Sequence, residues 1–221
     1  MSPGAGNAWG MTMRRTAVLL GAMLLFTLPA VADACQRSIS KTAAERVVPA
    51  GNIDQRLLSQ AVRGEVNYHR CRAGLPPVAG AGAGLSREVH GHSRWMAKRQ
   101  TLSHKSTVRG RATLKQRFQA AGLNVRTGSE NIGMVHRYRI DNKRFQVVDA
   151  AQCKFRLSDG QSLPAHSYAS LARHIVGLWM QSPGHRRNIL DPEARKVSTG
   201  VAFDPKAKFC GRFWLTQSFI G

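Results

Sequence analysis

The sequence predicts one domain of mixed α+β or three-layer architecture, preceded by a short export segment. The later part of the chain contains four segments of helical periodicity and at least three strand-like segments, of which the last two form a C-terminal hairpin. Hydrophobic residues make up 43% of the 221 residues, which suits a packed core and is too high for a disordered basic chain. A chain of this length can bury on the order of two-thirds of its unfolded surface in a single core.

Residues 1–34 have the pattern of a secretory signal peptide. An arginine pair precedes the apolar run 17–28, and small residues then lead to a cleavage point after Ala32 or Ala34. The run is shorter than the ~20 apolar residues that span a bilayer, and no later stretch is apolar enough to do so. We therefore expect a secreted or periplasmic protein without a transmembrane segment. A lipoprotein anchor at Cys35 stays open as an alternative.

The helices follow from apolar spacing and from residues that cap or stop them. A polar, irregular lead-in that we expect to be flexible, residues 35–51, precedes the domain, which spans residues 52–221. In order, the predicted helices are 52–74, with Gly74 as the stop; 86–99, capped by Ser86; 113–122, opened by a Thr113–Gln116 capping box; 167–181, capped by Ser167; and a short turn that begins at Ser182-Pro183.

Three strands are predicted from runs of β-forming residues. They cover residues 130–135, 199–203 and 209–219, and the turn 204–208 joins the last two into the hairpin. The basic, turn-rich stretch 137–164 has no predicted element.

The charge of the chain suggests anionic partners. Lys and Arg number 33 against 12 Asp and Glu, a formal net charge of +21. Cell-wall polymers, lipopolysaccharide and phospholipid headgroups would bind such a surface. Nucleic acid is the least expected partner, because export removes the protein from its genome and no basic–aromatic recognition motif is present. The alternative is a solubilising surface that reflects an arginine-rich composition. We expect a monomer.

The four cysteines all lie after the signal peptide, which in an oxidising compartment suggests up to two disulfides with three possible connectivities. We predict that Cys153 pairs with Cys210, because this bridge would tie the basic stretch 137–164 to the C-terminal hairpin. Cys35 and Cys71 are then a second pair, or an anchor and a buried thiol. No Cys-x-x-Cys, His-Glu-x-x-His, phosphate-binding loop or Gly-x-Ser-x-Gly motif occurs.

Two histidines and one glutamate are the candidate site residues. His185 falls in the first turn of a helix, where the helix dipole disfavours protonation, and a neutral imidazole can bind a metal or act as a base. His104 lies in the loop after the second helix, and Glu130 opens a strand. A surface turn residue is the alternative for Glu130. His90 and His92 are interpreted as helix-surface histidines, and the remaining histidines as structural or solvated.

Five stretches occur in a fixed order between about residues 57 and 219. They are Val66-Asn67-Tyr68-His69-Arg70 with Ala73-Gly74-Leu75-Pro76-Pro77; His92-Ser93-Arg94-Trp95-Met96-Ala97 with Leu102-Ser103-His104; Ser129-Glu130-Asn131-Ile132; residues 179–190, WMQSPGHRRNIL; and Thr216-Gln217-Ser218-Phe219. Together they resemble bacterial CAP-domain proteins, the superfamily of cysteine-rich secretory proteins, wasp-venom antigens and plant pathogenesis-related proteins.

The resemblance implies a three-layer α-β-α sandwich with a central antiparallel sheet and a surface cleft. The family's cleft histidines fall on His104 and His185, and its first cleft glutamate falls on Glu130. Many eukaryotic members carry a second glutamate just after the Trp of the third main helix, but here that region reads Trp179-Met180-Gln181-Ser182 and has no carboxylate. A mechanism that needs two carboxylates is therefore in doubt.

The residues and the resemblance together lead to two candidate functions. The first is a secreted protein with a binding or scaffolding role at the cell envelope, whose His104, Glu130 and His185 cleft holds a divalent metal such as zinc. The alternative is a secreted, metal-assisted hydrolase that uses the same cleft. A third interpretation leaves the three residues merely hydrogen-bonded to one another as a cleft wall.

Overall fold

A four-stranded sheet lies at the centre of the computed structural model, which describes Met1 and residues 35–221. Apart from Met1, the predicted signal peptide lies outside the described residues. The helices are α1 Lys41–Glu45, α2 Gln55–Arg72, α3 Ala83–Arg99, α4 Leu114–Ala120, α5 Tyr168–Gln181 and α6 Pro183–Ile189. The strands are β1 Ala79–Gly80, β2 Gly128–His136, β3 Gln146–Asp149, β4 Lys154–Arg156, β5 Lys196–Asp204 and β6 Arg212–Ile220.

The strand order in the main sheet is β1-β5-β6-β2. Strands β5, β6 and β2 are antiparallel, as predicted, whereas the two-residue β1 pairs in parallel with β5. Strands β3 and β4 form a separate antiparallel hairpin. The predicted α+β class is confirmed.

Helices cover both faces of the sheet. The side chains of β6, which point alternately to the two faces, show which helices lie on each face. Phe213 and Leu215 pack into the larger core with α2 and α5, while Trp214 and Ile220 face α3 and α4. Successive side chains of a strand point to opposite faces, so a strand buried on both sides reads as an apolar run. The sheet is thus the middle layer of the predicted sandwich.

Local capping signals give most of the helix starts correctly. The side chains of Asp54 and Ser167 accept backbone N–H groups at the first turns of α2 and α5, and Thr113 forms the predicted capping box with Gln116. Ser182 stands at the N-cap of α6 without a side-chain capping bond, and a proline follows at the first position. These bonds satisfy amide groups that have no partner inside the helix.

The predicted cap of α3 is wrong. The helix begins at Ala83, three residues before Ser86, whose hydroxyl instead bonds the Gly82 carbonyl and the Ser198 hydroxyl. A Cβ at Gly84 would lie 2.4 Å from the Ala121 carbonyl oxygen, so the first turn of α3 packs closely against the end of α4. This tertiary contact, which no local pattern encodes, favours the earlier start.

The lead-in 35–51 contains structure where the sequence predicted an irregular segment. It forms α1, buries Val48 completely and is joined to α2 by the Cys35–Cys71 disulfide. The sulfur that the alternative lipid anchor at Cys35 would need is therefore bonded to Cys71.

The basic stretch 137–164 carries the β3–β4 hairpin and a small core of Ile140, Phe155 and Leu163. The predicted Cys153–Cys210 bridge is confirmed and joins this stretch to the turn before β6. Strand β6 begins at Arg212 rather than at residue 209, because Phe209 and Cys210 have left-handed backbone angles (φ 59° and 66°) that no strand accommodates.

Candidate functional site

Glu130 is the centre of the candidate site. It is the third residue of β2, and its side chain is only 2% exposed, so the alternative of a surface turn residue is wrong. Both of its carboxylate oxygens accept from Nη2 of Arg117, at 2.8 Å for Oε1 and 2.7 Å for Oε2. A carboxylate buried without such a partner destabilises the folded protein. Glu130 can therefore be buried here because the Arg117 guanidinium lies beside it.

His104 lies directly against this carboxylate. Its Nδ1 is 2.9 Å from Oε1 of Glu130. A carboxylate only accepts hydrogen bonds, so we assign the proton of the neutral ring to Nδ1, which leaves the lone pair on Nε2. The imidazole is 54% exposed, and Nε2 has no hydrogen-bond partner among residues 35–221. The pair therefore presents an oriented nitrogen ligand or base to solvent.

Arg117 is a site residue that sequence reasoning missed. It is 2% exposed, and besides Glu130 its Nη2 donates to the His104 carbonyl oxygen at 3.1 Å, while Nη1 donates to the Arg111 carbonyl oxygen at 3.3 Å. One guanidinium thus fixes both the carboxylate and the loop that carries His104. The chain contains 33 Lys and Arg, and nothing in the local pattern of α4 distinguishes this one.

His92, predicted on a helix surface, is in fact buried at 3% exposure. Its Nε2 donates to the Ser103 carbonyl oxygen at 2.9 Å and lies 4.0 Å from Oε1 of Glu130. Its pKa is lowered by burial first and by the Arg117 charge second, despite the opposing effect of Glu130. The neutral ring holds the start of the loop before His104.

His185 lies on α6, a short helix that is hydrogen-bonded to β2 beside Glu130. Its carbonyl oxygen accepts from Asn131 Nδ2 at 3.3 Å, and Asn188 on the same short helix donates to the Glu130 carbonyl oxygen at 3.1 Å. The pKa of His185 is lowered, as predicted, but burial is the main cause, followed by the nearby charge of His104. The imidazole makes no side-chain hydrogen bond to His104 or Glu130 among the described residues.

The structure thus joins two of the three candidate residues directly and brings the third to the same edge of β2. Within residues 35–221, no three His, Cys, Asp or Glu side chains come together in a geometry that could hold a metal ion. Both Glu130 oxygens are already engaged by Arg117, so the imidazoles of His104 and His185 are the groups among the three candidates that can act on a ligand or a proton.

Residues 64–219 match the sequence profile of the cysteine-rich secretory protein family, CAP. No curated protein matches significantly. Among solved structures, an extracellular protein with an SCP domain from Bacillus anthracis str. Ames is 22% identical over 75% of this chain, with a TM-score of 0.49. The match spans 41% of the Bacillus chain.

A second solved structure, an outer surface protein from Borrelia burgdorferi, is 12% identical over 76% of this chain and 96% of its own, with a TM-score of 0.48. The family assignment does not depend on either structure, because the profile alone covers well over half of the sequence. The match includes Glu130, His104 and His185. The chain belongs to the cysteine-rich secretory protein family.

Proposed function

We propose that this is a secreted CAP-domain protein with a binding or scaffolding role at the cell envelope, whose cleft binds a divalent cation such as zinc through His104 and His185. The observation that carries the proposal is the hydrogen bond from His104 Nδ1 to Glu130, which leaves Nε2 as an exposed nitrogen ligand. Metal-binding histidines typically donate their other N–H to a carboxylate in this way.

The electrostatics support a neutral imidazole at His185. Imidazole must be unprotonated to bind a metal, and the lowered pKa of His185 keeps it neutral at and above pH 7. A bound cation would keep coordination positions open for an anionic ligand or water. The residues of the chain would hold the cation and orient its ligands, with Glu130 acting on His104 rather than on the metal.

The same geometry favours binding over hydrolysis. A hydrolase needs a base that can take a proton from water, and both Glu130 oxygens already accept from Arg117. Gln181 stands in the region where many eukaryotic members carry a second glutamate. The hydrolase alternative would therefore depend on His104 or His185 as the only base among the three candidates.

Several features support export and an envelope location. Two disulfides occur among the described residues, the family is a secretory one, and the net charge of +21 suits anionic envelope polymers or lipids. Among residues 35–221, no helix is long and apolar enough to cross a membrane.

Calorimetric titration of the disulfide-bonded mature chain with zinc tests the cleft. We expect the wild type to bind zinc at pH 7.5 and to bind it more weakly at pH 5.5, because protons compete with the cation for imidazole nitrogens. His104→Ala and His185→Ala should each weaken binding at least tenfold. His90→Ala, which removes an imidazole on α3 outside the cleft, should bind as the wild type does.

Two outcomes would contradict the proposal. If the wild type binds no zinc above pH 7, or if the two cleft variants bind as tightly as it does, the three residues form only a hydrogen-bonded wall. Ester or amide turnover by the wild type that His104→Ala abolishes would instead favour the hydrolase.

A further inference from the structure

A cavity of about 460 Å³ lies between α3 and the loop 100–113 and is also lined by Arg117 of α4. Its walls include Arg87, Gly91, Arg94 and Trp95 from α3, together with the loop residue Arg111. Neither His104, His185 nor Glu130 lines it. The volume lies within the range of small-molecule sites.

One wall of the cavity is a stretch of α3 that has a glycine, Gly91, at its centre. Arg87, Gly91 and Trp95 follow one another at intervals of four residues and so share one face of α3. A Cβ placed on Gly91 would meet no atom within 4 Å, so packing does not require glycine here. Glycine weakens a helix interior relative to alanine, and its presence leaves open space between an arginine and an aromatic ring.

Two guanidinium groups at this patch have no side-chain partner among the described residues. Arg111 donates to Glu88 at 2.9 Å, and Arg117, which also lines the cavity, is held by Glu130. In contrast, Arg87 and Arg94 make no side-chain hydrogen bond or ion pair with any residue in 35–221. Free guanidinium groups match the planar oxygens of carboxylates and phosphates.

Trp95 forms an aromatic wall of the cavity, and two contacts fix the orientation of its ring. Its Nε1 donates to Thr107 Oγ1 at 3.1 Å, and its ring stacks on His92 with centroids 5.5 Å apart and planes 8° from parallel. His92 also lines the cavity, and its buried Nδ1 has no partner among the described residues. Most other walls are charged or polar, which does not suit an acyl chain.

From this combination we propose that the cavity binds an acidic sugar, a pyranose unit of an envelope glycan that bears a carboxylate or phosphate. The apolar face of the sugar ring lies over Gly91 and against Trp95, and its anionic group lies between Arg87 and Arg94. The cavity lining offers no Asn, Gln or Asp side chain to read the edge of a nucleobase, which favours a sugar over single-stranded nucleic acid.

The test is a calorimetric or NMR titration of the disulfide-bonded mature chain with trigalacturonate at low salt. Maltotriose is the neutral sugar, inorganic phosphate the anion without a sugar, and oligothymidylate the nucleic acid. We expect trigalacturonate to bind at least tenfold more tightly than each of the other three. His104→Ala should leave this affinity unchanged, so a failed metal cleft and a failed sugar site are distinguishable.

Cavity-filling variants locate the binding. Gly91→Leu fits the open space and favours helix, so it should fold and yet lose at least tenfold in affinity for trigalacturonate. Gly177→Leu is the matched control, since Gly177 also lies in a helix with nothing within 4 Å of its missing Cβ. The pair Arg87→Gln and Arg94→Gln should lose at least tenfold, compared with no loss for the exposed control Arg144→Gln.

The proposal is overturned if maltotriose, phosphate or oligothymidylate binds as tightly as trigalacturonate. It is also overturned if folded Gly91→Leu, or the double arginine variant, keeps the wild-type affinity.

Discussion

At the residue scale, the Arg117–Glu130 pair sets the chemistry of the cleft. Both side chains are at most 3% exposed, so neither has water as an alternative partner. A buried ion pair contributes little net stability compared with well-packed apolar residues, but removing one partner leaves the other charged and unsatisfied. The role of the pair is therefore to hold Glu130 and His104 in position. We expect its loss to lower the stability of the fold and to disturb the orientation of His104.

This asymmetry gives a measurable expectation. Arg117→Met should lower the free energy of unfolding by ~3–5 kcal/mol, because the buried Glu130 carboxylate then loses its guanidinium partner and keeps only the hydrogen bond from His104. The double variant Arg117→Met with Glu130→Leu should recover part of that loss. Urea denaturation at pH 7 measures both.

The exposed pair Arg126–Glu193, at 3.5 Å with side chains 82% and 52% exposed, is the control. Arg126→Met should change stability by no more than ~1 kcal/mol, as is usual for surface ion pairs. Equal effects of Arg117→Met and Arg126→Met would show that the buried pair has no special role.

At the scale of elements, the approach of α3 to the sheet depends on a glycine. A Cβ at Gly200 of β5 would lie 2.4 Å from the backbone nitrogen of His90 and 2.6 Å from its Cα. Backbone atoms in the middle of a helix cannot move aside as a flexible side chain can. The backbones of β5 and α3 are thus in direct contact at this point. This contact holds α3, and the cavity between α3 and the loop 100–113, close to the sheet.

We expect Gly200→Ala to lower the free energy of unfolding by ~1–3 kcal/mol, the usual cost of overpacking. Gly177→Ala is the control, since it meets no atom within 4 Å and should be neutral or stabilise α5 by up to ~1 kcal/mol. Thermal or chemical unfolding of the two variants compares them. A Gly200→Ala protein as stable as the wild type would mean that α3 can shift away from the sheet freely.

The same contrast explains which parts of the fold could be predicted from the sequence. The starts of α2, α4 and α5 depend on bonds between residues three apart, such as that from Gln116 N to Thr113, so a local pattern reveals them. The start of α3 depends instead on the packing of Gly84 against Ala121. The β3–β4 hairpin depends on a small core that no periodic pattern in the sequence predicts.

The site divides in a similar way. His104, Glu130 and His185 were identified through their motifs, and the bridge of Cys153 and Cys210 through the position of each cysteine. Arg117 lies in none of the five stretches, and His92 opens one of them but was interpreted as a surface histidine. Both roles arise only when β2 is placed beside α3 and α4. A buried partner for Glu130 was physically necessary, but the sequence offers too many arginines to choose among.

At the scale of the whole molecule, a second histidine cluster links the basic stretch 137–164 to α5. His136 Nδ1 lies 2.5 Å from Asp141 Oδ1, and His174 Nε2 lies 3.7 Å from Asp141 Oδ2. The rings of His166 and His174 are 5.5 Å apart. His166 is 3% exposed and its Nδ1 contacts the Ser170 hydroxyl at 3.0 Å. These groups connect the protonation state of the protein to its folding.

The direction of that dependence follows from the pKa values. Burial, and then the charge of His174, lowers the pKa of His166 from 6.5 to about 3, and burial also lowers the pKa of His174. Between pH 6.5 and 3 the unfolded chain therefore binds protons that the folded protein does not. Burial raises the pKa of Asp141, but the hydrogen bonds of His136 outweigh it and the net pKa is lowered. The stability from Asp141 is lost only near and below pH 3.8.

The free energy of unfolding should therefore fall as the pH is lowered from 7 to 5, and His166 should contribute up to ~1.4 kcal/mol per pH unit to that slope. Substituting His166→Asn keeps a side-chain amide near Ser170 and removes the titrating ring, so the variant should have a shallower slope even if it is less stable at pH 7. Net positive charge also grows on acidification, but in wild type and variant alike. Asp159→Asn in an exposed turn raises the charge by one unit without removing an imidazole, and should keep the wild-type slope. Urea denaturation at pH 7, 6 and 5 measures these slopes. If the free energy of unfolding falls with pH equally in His166→Asn and the wild type, then His166 binds a proton as readily in the folded protein as in the unfolded chain.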